Sequence, residues 1–362
     1  MHVVHIDRQR SWTGQINRAF LIVTALRSRG HHIGFITHPG AVLAQRAREA
    51  GIPVESFPLR GAGFYVSIPR AARALRGRGV DILHCHGARD HLFGLAVARL
   101  ASIPHVIRTK HNHTLPRGPF SRFVYAASDR VIAISEHVRS ELVGAGIDPA
   151  KLETIQDGVD VEHFRPLPRD AELAASLGIE PGDLVIGSVC SLHTRKGIEE
   201  ILHAFALLQE APFAGRLKCL LVGKRWEQWA GLAEALGVRE RVLFPGFRRD
   251  VREMLAQLDV YLLPSRREAG GTSVLEAMAM ERPIVASHVG GLAESVTPEV
   301  GITVPPQDAR ALAAAVRELL EDPERAAQLG RAARARAVSL YSNEALVERT
   351  LALYERILKN AP

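Results

Sequence analysis

The chain is poor in cysteine. Its 362 residues hold only Cys85, Cys190 and Cys219, an odd number at no metal-ligand spacing. That excludes a disulfide framework and a cysteine-built zinc site, and it suits free thiols in a reducing compartment. Long apolar runs are missing too. The stretch 19–26 is interrupted by Thr24 and bounded by Arg18 and Arg27, far short of the ~20 residues a membrane-spanning helix needs. No cationic region precedes residues 2–7, which read as a first strand rather than a signal peptide. We therefore expect a cytoplasmic protein. No G-x-G-x-x-G follows a predicted strand and no P-loop occurs, which argues against a dinucleotide dehydrogenase and a P-loop NTPase. Aromatics are only 6%, and basic residues are not interleaved with them, so a nucleic-acid binder is not expected.

What is present is ample core material. Hydrophobic residues make up 47% and charged residues 23%, and at ~150 residues per domain the length predicts two domains. The formal charge of +7 fits either a solvated basic surface or an anionic partner such as a phosphorylated substrate or an acidic membrane.

Strand and helix alternate from the start. Strands are expected at 2–7, 33–37, 53–57, 81–85, 105–109 and 130–134. Helices are expected at 15–29, 41–50, 68–76, 90–100, 120–127 and 136–143. This beat means parallel pairing through crossover helices, and strands such as Val131-Ile-Ala-Ile134 are apolar on both faces, as in a sheet covered on both sides. Residues 157–170, with Arg165-Pro-Leu-Pro168, read as a linker. The beat restarts with strands at 184–190, 217–222, 242–244, 260–263, 283–287 and 302–304, and helices at 198–209, 226–236, 251–257 and 273–280. Three amphipathic helices follow, at 309–320, 323–338 and 343–358. The fold class expected is α/β: two doubly wound, Rossmann-like parallel-sheet domains facing across a cleft, with a helical C-terminal tail. The first domain is placed at 1–165 and the second at 166–340. Residues 341–362 form a last helix crossing back to the first domain. Ligands in such sheets sit at the carboxyl ends of strands, so the site is expected in the cleft.

The densest chemistry lies in Ser265-Arg-Arg-Glu268-Ala-Gly-Gly-Thr-Ser-Val-Leu-Glu276. An apolar strand ends at Leu263, a glycine loop follows, and a helix starts near Thr272, which Thr272 and Ser273 are expected to cap. Free N–H groups and the positive dipole end there suit an anion. Glu268 precedes the glycines and Glu276 leans back toward them from one turn into the helix. Both acids also read as ordinary complements to a helix dipole. The first βα loop, Arg8-Gln-Arg-Ser-Trp-Thr-Gly14, offers a second glycine at a helix start, which serves either anion approach or packing.

Glu268 and Glu276, with seven residues between them, are followed by Pro283-Ile-Val-Ala286 and Gly290-Gly291-Leu-Ala-Glu294. Together these closely resemble the retaining family-4 glycosyltransferases of the GT-B fold. Lys196-Gly197, Phe244-Pro-Gly-Phe247 before Asp250, Ile134-Ser135, Asp157-Gly-Val-Asp160 and Phe164-Arg-Pro166 add to the resemblance, which spans essentially the whole chain. It implies a donor that is a UDP-, GDP- or ADP-sugar. Glu276 would hold the ribose hydroxyls and Glu268 the donor sugar. The N–H groups of Gly270, Gly271, Thr272 and Ser273 would hold the diphosphate, and Gly246, Phe247 and Arg248 would line the base. Gly14 would approach the diphosphate, His111 would be the active-site histidine, and Lys196 would neutralise the leaving group. The family's usual Arg five residues before the Lys is here Ser191. Arg195 is the expected substitute, although it also reads as solvated surface.

No Asp-x-Asp motif occurs, so fixed cations and helix termini are expected to replace a metal, with no cofactor. The acceptor is expected to be a cell-envelope glycan or glycolipid, as in lipopolysaccharide or polysaccharide biosynthesis. Two rival readings are a GT-B-fold nucleotide-sugar 2-epimerase and a catalytically degenerate nucleotide-sugar-binding protein, the latter motivated by Ser191. His84-Cys-His86 alternates across a strand and so reads as cleft lining rather than a metal site. Lys110-His-Asn-His113 spells the letters of the HNH nucleases without their ββα spacing. Arg70, Arg73, Arg76 and Arg78 give one helix a basic face, with Arg117, Arg122 and Arg130 further on. That face is either solvated or a contact for anionic lipid on the inner membrane.

Overall fold

A computed structural model describes residues 1–116 and 118–359; Arg117, one of the basic residues singled out above, lies outside the described residues. The chain divides into two compact units. The first is Met1–Gly158 with the returning helix Asn343–Lys359, and the second is Val159–Ser342.

In the first unit the strands are β1 (His2–Asp7), β2 (His32–Thr37), β3 (Val54–Ser56), β4 (Ile82–Cys85), β5 (His105–Lys110), β6 (Arg130–Ala133) and β7 (Leu152–Thr154). They form one sheet in the order β3-β2-β1-β4-β5-β6-β7, with parallel pairing throughout. Strand alternation splits its core into two layers. Val3, Phe35, Ile82 and Ile107 pack under helix Gly14–Ser28 and against Leu346, Leu353 and Tyr354 of the returning helix. Val4, Ile6, Ile36 and Leu83 face the other way, toward Ala71, Phe93 and Val97 of helices Ala62–Leu75 and Ala88–Ala101.

The second unit repeats the plan with β8 (Leu184–Val189), β9 (Leu217–Val222), β10 (Val242–Gly246), β11 (Val260–Leu263), β12 (Ile284–Ser287) and β13 (Ile302–Val304). Their order is β10-β9-β8-β11-β12-β13, again parallel. In each sheet the order reverses beside the first strand of the unit: at β1/β4 in one and β8/β11 in the other. Loops leaving the carboxyl ends of those strands diverge there and open a crevice, where doubly wound sheets bind ligands. The fold class expected from the alternating pattern is therefore the one observed: two Rossmann-like parallel sheets and a helical C-terminus.

Three local expectations are corrected. The helix expected from residue 68 begins at Ala62, behind Gly61 at φ 56°, and carries Pro69 in its interior. Proline suits a first helical turn, which is why the pattern reads as starting there. The apolar Phe64 and the buried Ser67, whose Oγ donates to the Pro58 carbonyl at 3.0 Å, instead hold an extra turn against the core. Thr272 and Ser273 do not cap their helix; Gly271 does, by conformation alone. Three short elements had no sequence signal: β7, helix Ala171–Ser176 and helix Gly290–Ser295. At three to six residues they are too short for a period to register.

Candidate active site

In the second unit the residues singled out by sequence gather at the carboxyl edge of one sheet. Ser191, Arg195 and Lys196 lie on the loop after β8, Gly246 ends β10 with Phe247 and Arg248 following, and residues 264–276 follow β11. The loop after β8 tightens into one 3-10 turn, Thr194–Lys196, and leaves it through Gly197 at φ 74°. Only glycine fits: a Cβ there would lie 2.0 Å from the Pro264 carbonyl oxygen. This close approach locks the loop after β8 to the loop after β11, and the Arg266 amide donates to the Arg195 carbonyl across it at 2.8 Å.

Lys196 Nζ and Glu268 Oε2 meet across the same junction in an ion pair whose side chains are 12% and 15% exposed. Ser265 Oγ donates to the same carboxylate oxygen at 3.4 Å. The Glu268 carbonyl accepts from the Gly291 amide at 3.0 Å, which seats the glycine loop. Gly271, at φ 92°, turns that loop into helix Thr272–Ala279. A Cβ on Gly271 would press on Leu292 Cδ2 at 2.8 Å. Because no side chain caps the helix, the N–H groups of Thr272 and Ser273 have no acceptor among the described residues. Ser273 Oγ is buried beside the Tyr261 hydroxyl.

Glu276 sits one turn in, half-buried. Burial pushes its carboxyl up to about 7, and among the described residues no side chain pairs with it. The thiol of Cys190, raised mainly by burial, feels the charges of Lys196, Glu268 and Glu276 together, so the three groups surround one spot. Arg195 is exposed and its guanidinium has no ion pair among the described residues. Ser191, where the resemblance leads one to expect Arg, is exposed beside them. At the end of β10, Phe247 is 60% exposed, with Lys224 Nζ 4.9 Å from its ring centroid. Arg248 makes a two-pronged pair with Asp250, Nε to Oδ1 at 2.9 Å and Nη2 to Oδ2 at 2.6 Å. Asp250 is therefore occupied and does not cap the helix that follows it.

In the first unit, Gly14 opens helix Gly14–Ser28 and a Cβ there would meet nothing within 4 Å. His111, half-buried, lies one residue past β5, at the same carboxyl edge. The expected cleft lining by His84 and His86 is corrected: both are buried, 0% and 2% exposed, with Tyr354 bonded to His84 from the returning helix. Cys85 points to the opposite face, where it abuts Gly94. Sequence reasoning missed His5 and Tyr354 in this neighbourhood. One signal was available: His5 and His84 are register partners on adjacent strands, each a polar residue in an otherwise apolar run.

Comparison with known proteins fits these two sheets. Residues 170–336 match the family described as glycosyl transferases group 1, and residues 12–163 match glycosyltransferase family 4. A D-inositol 3-phosphate glycosyltransferase of Catenulispora acidiphila is 30% identical over 316 residues, 80% of this chain and 75% of its own length. Another, from Kineococcus radiotolerans, is 29% identical over 345 residues, 86% and 79% of the two chains. Among solved structures, Anabaena HepE in complex with UDP superimposes with a TM-score of 0.87 at 21% identity, over 98% of this chain and 100% of that one. Sucrose-phosphate synthase of Thermosynechococcus elongatus gives a TM-score of 0.80 at 23% identity, over 100% of both chains. The chain belongs to glycosyltransferase family 4, the glycosyl transferases group 1, and is a GT-B transferase. No helix among the described residues is long and apolar enough to cross a membrane.

Proposed function

We propose that the protein is a retaining, metal-independent glycosyltransferase. It would move a sugar from a nucleoside diphosphate to a cell-envelope glycan or glycolipid at the cytoplasmic face of the inner membrane. The observation that carries the reading is the junction around Gly197 and Gly271. There a lysine paired to Glu268, a helix start without a side-chain cap and a Glu276 with no side-chain partner among the described residues converge on one carboxyl edge. Charge develops on the leaving phosphate as the C1–O bond breaks. Lys196, the amides of Thr272 and Ser273, and Arg195, which has no ion pair among the described residues, are positive groups able to receive it, the role a divalent cation plays elsewhere. Glu268 would hold the donor sugar and Glu276 the ribose, each accepting from hydroxyls, while Phe247 offers an exposed ring to the base. The acceptor oxygen attacks C1 from the face the phosphate leaves, and its proton passes to the departing phosphate oxygen. That accounts for retention without a protein nucleophile. The HepE structures with UDP and with UDP-glucose support a uridine nucleotide as the first donor to try.

The test is thermal unfolding with UDP, GDP and ADP and their sugars, in buffer containing a chelator. A ligand at 100 times its Kd stabilises by about 2.7 kcal/mol. One nucleotide series is expected to raise Tm by several degrees with the chelator present. No shift with any nucleoside diphosphate overturns the reading. Epimerised sugar from donor alone would replace it with an isomerase.

A further inference from the structure

Five buried side chains of the first unit form a continuous hydrogen-bonded chain that ends on His111. Thr109 Oγ1 lies 2.7 Å from His84 Nε2, and His84 Nδ1 lies 2.5 Å from the Tyr354 hydroxyl. The same hydroxyl is 3.3 Å from His5 Nε2, and His5 Nδ1 is 2.9 Å from His86 Nε2. His86 Nδ1 is 3.2 Å from His111 Nε2. Thr109, His84, His5 and Tyr354 are each 0% exposed, and His86 is 2% exposed. Every link uses a different ring nitrogen, so the protons along the chain are not independent.

They can be counted, because the rings are neutral. Burial pushes His5 down to about 3 and holds His84, His86 and His111 well below the usual histidine range. The positive charges of Arg18, Arg108 and Lys110 press His111 the same way. A neutral imidazole has one N–H and one bare nitrogen, so only two arrangements satisfy all five links with the Tyr354 O–H also used; a third, in which that oxygen accepts from both His84 and His5, strands the buried Tyr354 donor. In one, Tyr354 donates to His84, whose Nε2–H donates to Thr109. The remaining links then run back from His111, which donates through Nε2–H. In the other, Thr109 donates to His84 Nε2, His84 to Tyr354, Tyr354 to His5, His5 to His86, and His86 to His111 Nε2. His111 then carries its proton on Nδ1. Thr109 decides between them. Among the described residues its hydroxyl has no partner besides His84. The first arrangement strands a buried O–H donor, whereas the second leaves only a spare acceptor lone pair, the cheaper deficit. A stranded buried donor disfavours its arrangement about tenfold or more.

We propose that the chain Thr109–His84–Tyr354–His5–His86 fixes the His111 proton on Nδ1, so that His111 meets its ligand as a hydrogen-bond donor to oxygen. The ligand it would take is a hydroxyl or phosphate oxygen of the donor. His111 cannot accept a proton at Nδ1 unless the whole chain reverses, so it polarises or orients and does not act as a base. Tyr354 and His86 are positioning residues that act through it. That His111 meets a donor at all rests on the proposed function; its tautomer does not.

The ring nitrogens report this directly, by two-bond nitrogen–proton correlation spectra of the full-length protein labelled with nitrogen-15 histidine, without nucleotide. In the wild type, His111 is expected to be protonated on Nδ1 in more than about nine-tenths of molecules, given the tenfold bias. A proton on Nε2 overturns the proposal. Tyr354→Phe removes the donor to His5 Nε2, and because a bare buried nitrogen costs less than a stranded N–H there, His111 is expected to keep its proton on Nδ1. Thr109→Ser, which keeps the hydroxyl, is expected to leave Nδ1–H in place. A shift of His111 to Nε2–H as its main species in folded Tyr354→Phe refutes this ordering of the chain. If that variant does not fold, the wild-type and Thr109→Ser spectra still decide. Failure of nucleotides to bind would leave these spectra unaffected and would instead remove the donor reading.

Discussion

Lys196 and Glu268 hold each other in a place with little water, so removing the lysine does two things. It strips a cation from the leaving phosphate and leaves a carboxylate uncompensated. Lys196→Ala is expected to lower kcat about 10²–10³-fold, the loss typical of one transition-state oxyanion contact. Arg195→Ala separates two readings of the exposed arginine next to it. A fall of about tenfold or more in kcat would make Arg195 the substitute for the cation missing at Ser191. Near-wild-type turnover would assign Arg195 to the solvated surface. Glu276 gives a prediction in pH. Its folded value, about 7, lies above the ordinary 4.5, so between those values the folded chain holds a proton that the unfolded chain has released. Stability therefore falls as pH rises from about 4.5 through about 7. Urea midpoints measured across that window should decline in the wild type and decline less in Glu276→Gln. Parallel curves for the two proteins would mean that Glu276 is ionised like a surface acid.

Helix Ala62–Leu75 shows both the reach and the limit of reading elements from sequence. Its buried positions, Phe64, Ser67, Ala71, Ala72 and Leu75, follow a helical period. On the exposed side it carries Tyr65 at 72% and Val66 at 59%, with Arg70 and Arg73 also open to solvent. Of the basic run, Arg76 bonds the Leu100 carbonyl at 2.6 Å and Arg78 pairs with Glu55 at 2.9 Å, so among the described residues the free part of the basic face is Arg70 and Arg73. Each basic residue near an anionic bilayer contributes about 1 kcal/mol. If the helix docks there, Arg70→Ala with Arg73→Ala should weaken vesicle binding roughly 30-fold at low salt. Sedimentation with phosphatidylglycerol vesicles measures this, and equal sedimentation of both proteins would return the face to solvent.

Long helices were legible because repeated burial writes a period into the sequence, and strands, even short ones, where they form apolar runs between turn signals. The bounds of β1, β9, β11 and β13 are as expected from their apolar runs. The candidate donor side was legible because its loops need particular residues: glycine where the backbone turns left-handed at 197 and 271, and a cation and an acid spaced to meet across two loops. Capping by Gly271 was not legible, since Thr-Ser after glycines looks like a cap in any sequence. Nor was the histidine chain, whose members lie on β1, β4, β5 and a helix some 250 residues further on. Only the strand register and the returning helix bring them together.

The second unit begins and ends at one place. Val159 forms a bridge with Ser342, and its amide donates to the Tyr341 carbonyl at 2.8 Å. All the donor-side candidates except Gly14 and His111 lie between those two positions, and the unit has its own core layers on both sheet faces. Residues 159–342 expressed alone are therefore expected to fold cooperatively and to bind the preferred nucleoside diphosphate within about tenfold of the intact chain, a loss below about 1.4 kcal/mol. Calorimetric titration measures it. A folded fragment that does not bind would mean that recognition needs the first unit. The same clasp makes the middle half of the chain a cassette: its two junctions are neighbours, so it can be exchanged for that of a relative at one place in the fold. On the proposed function, nucleotide preference would travel with the exchanged cassette, by splicing rather than by redesign.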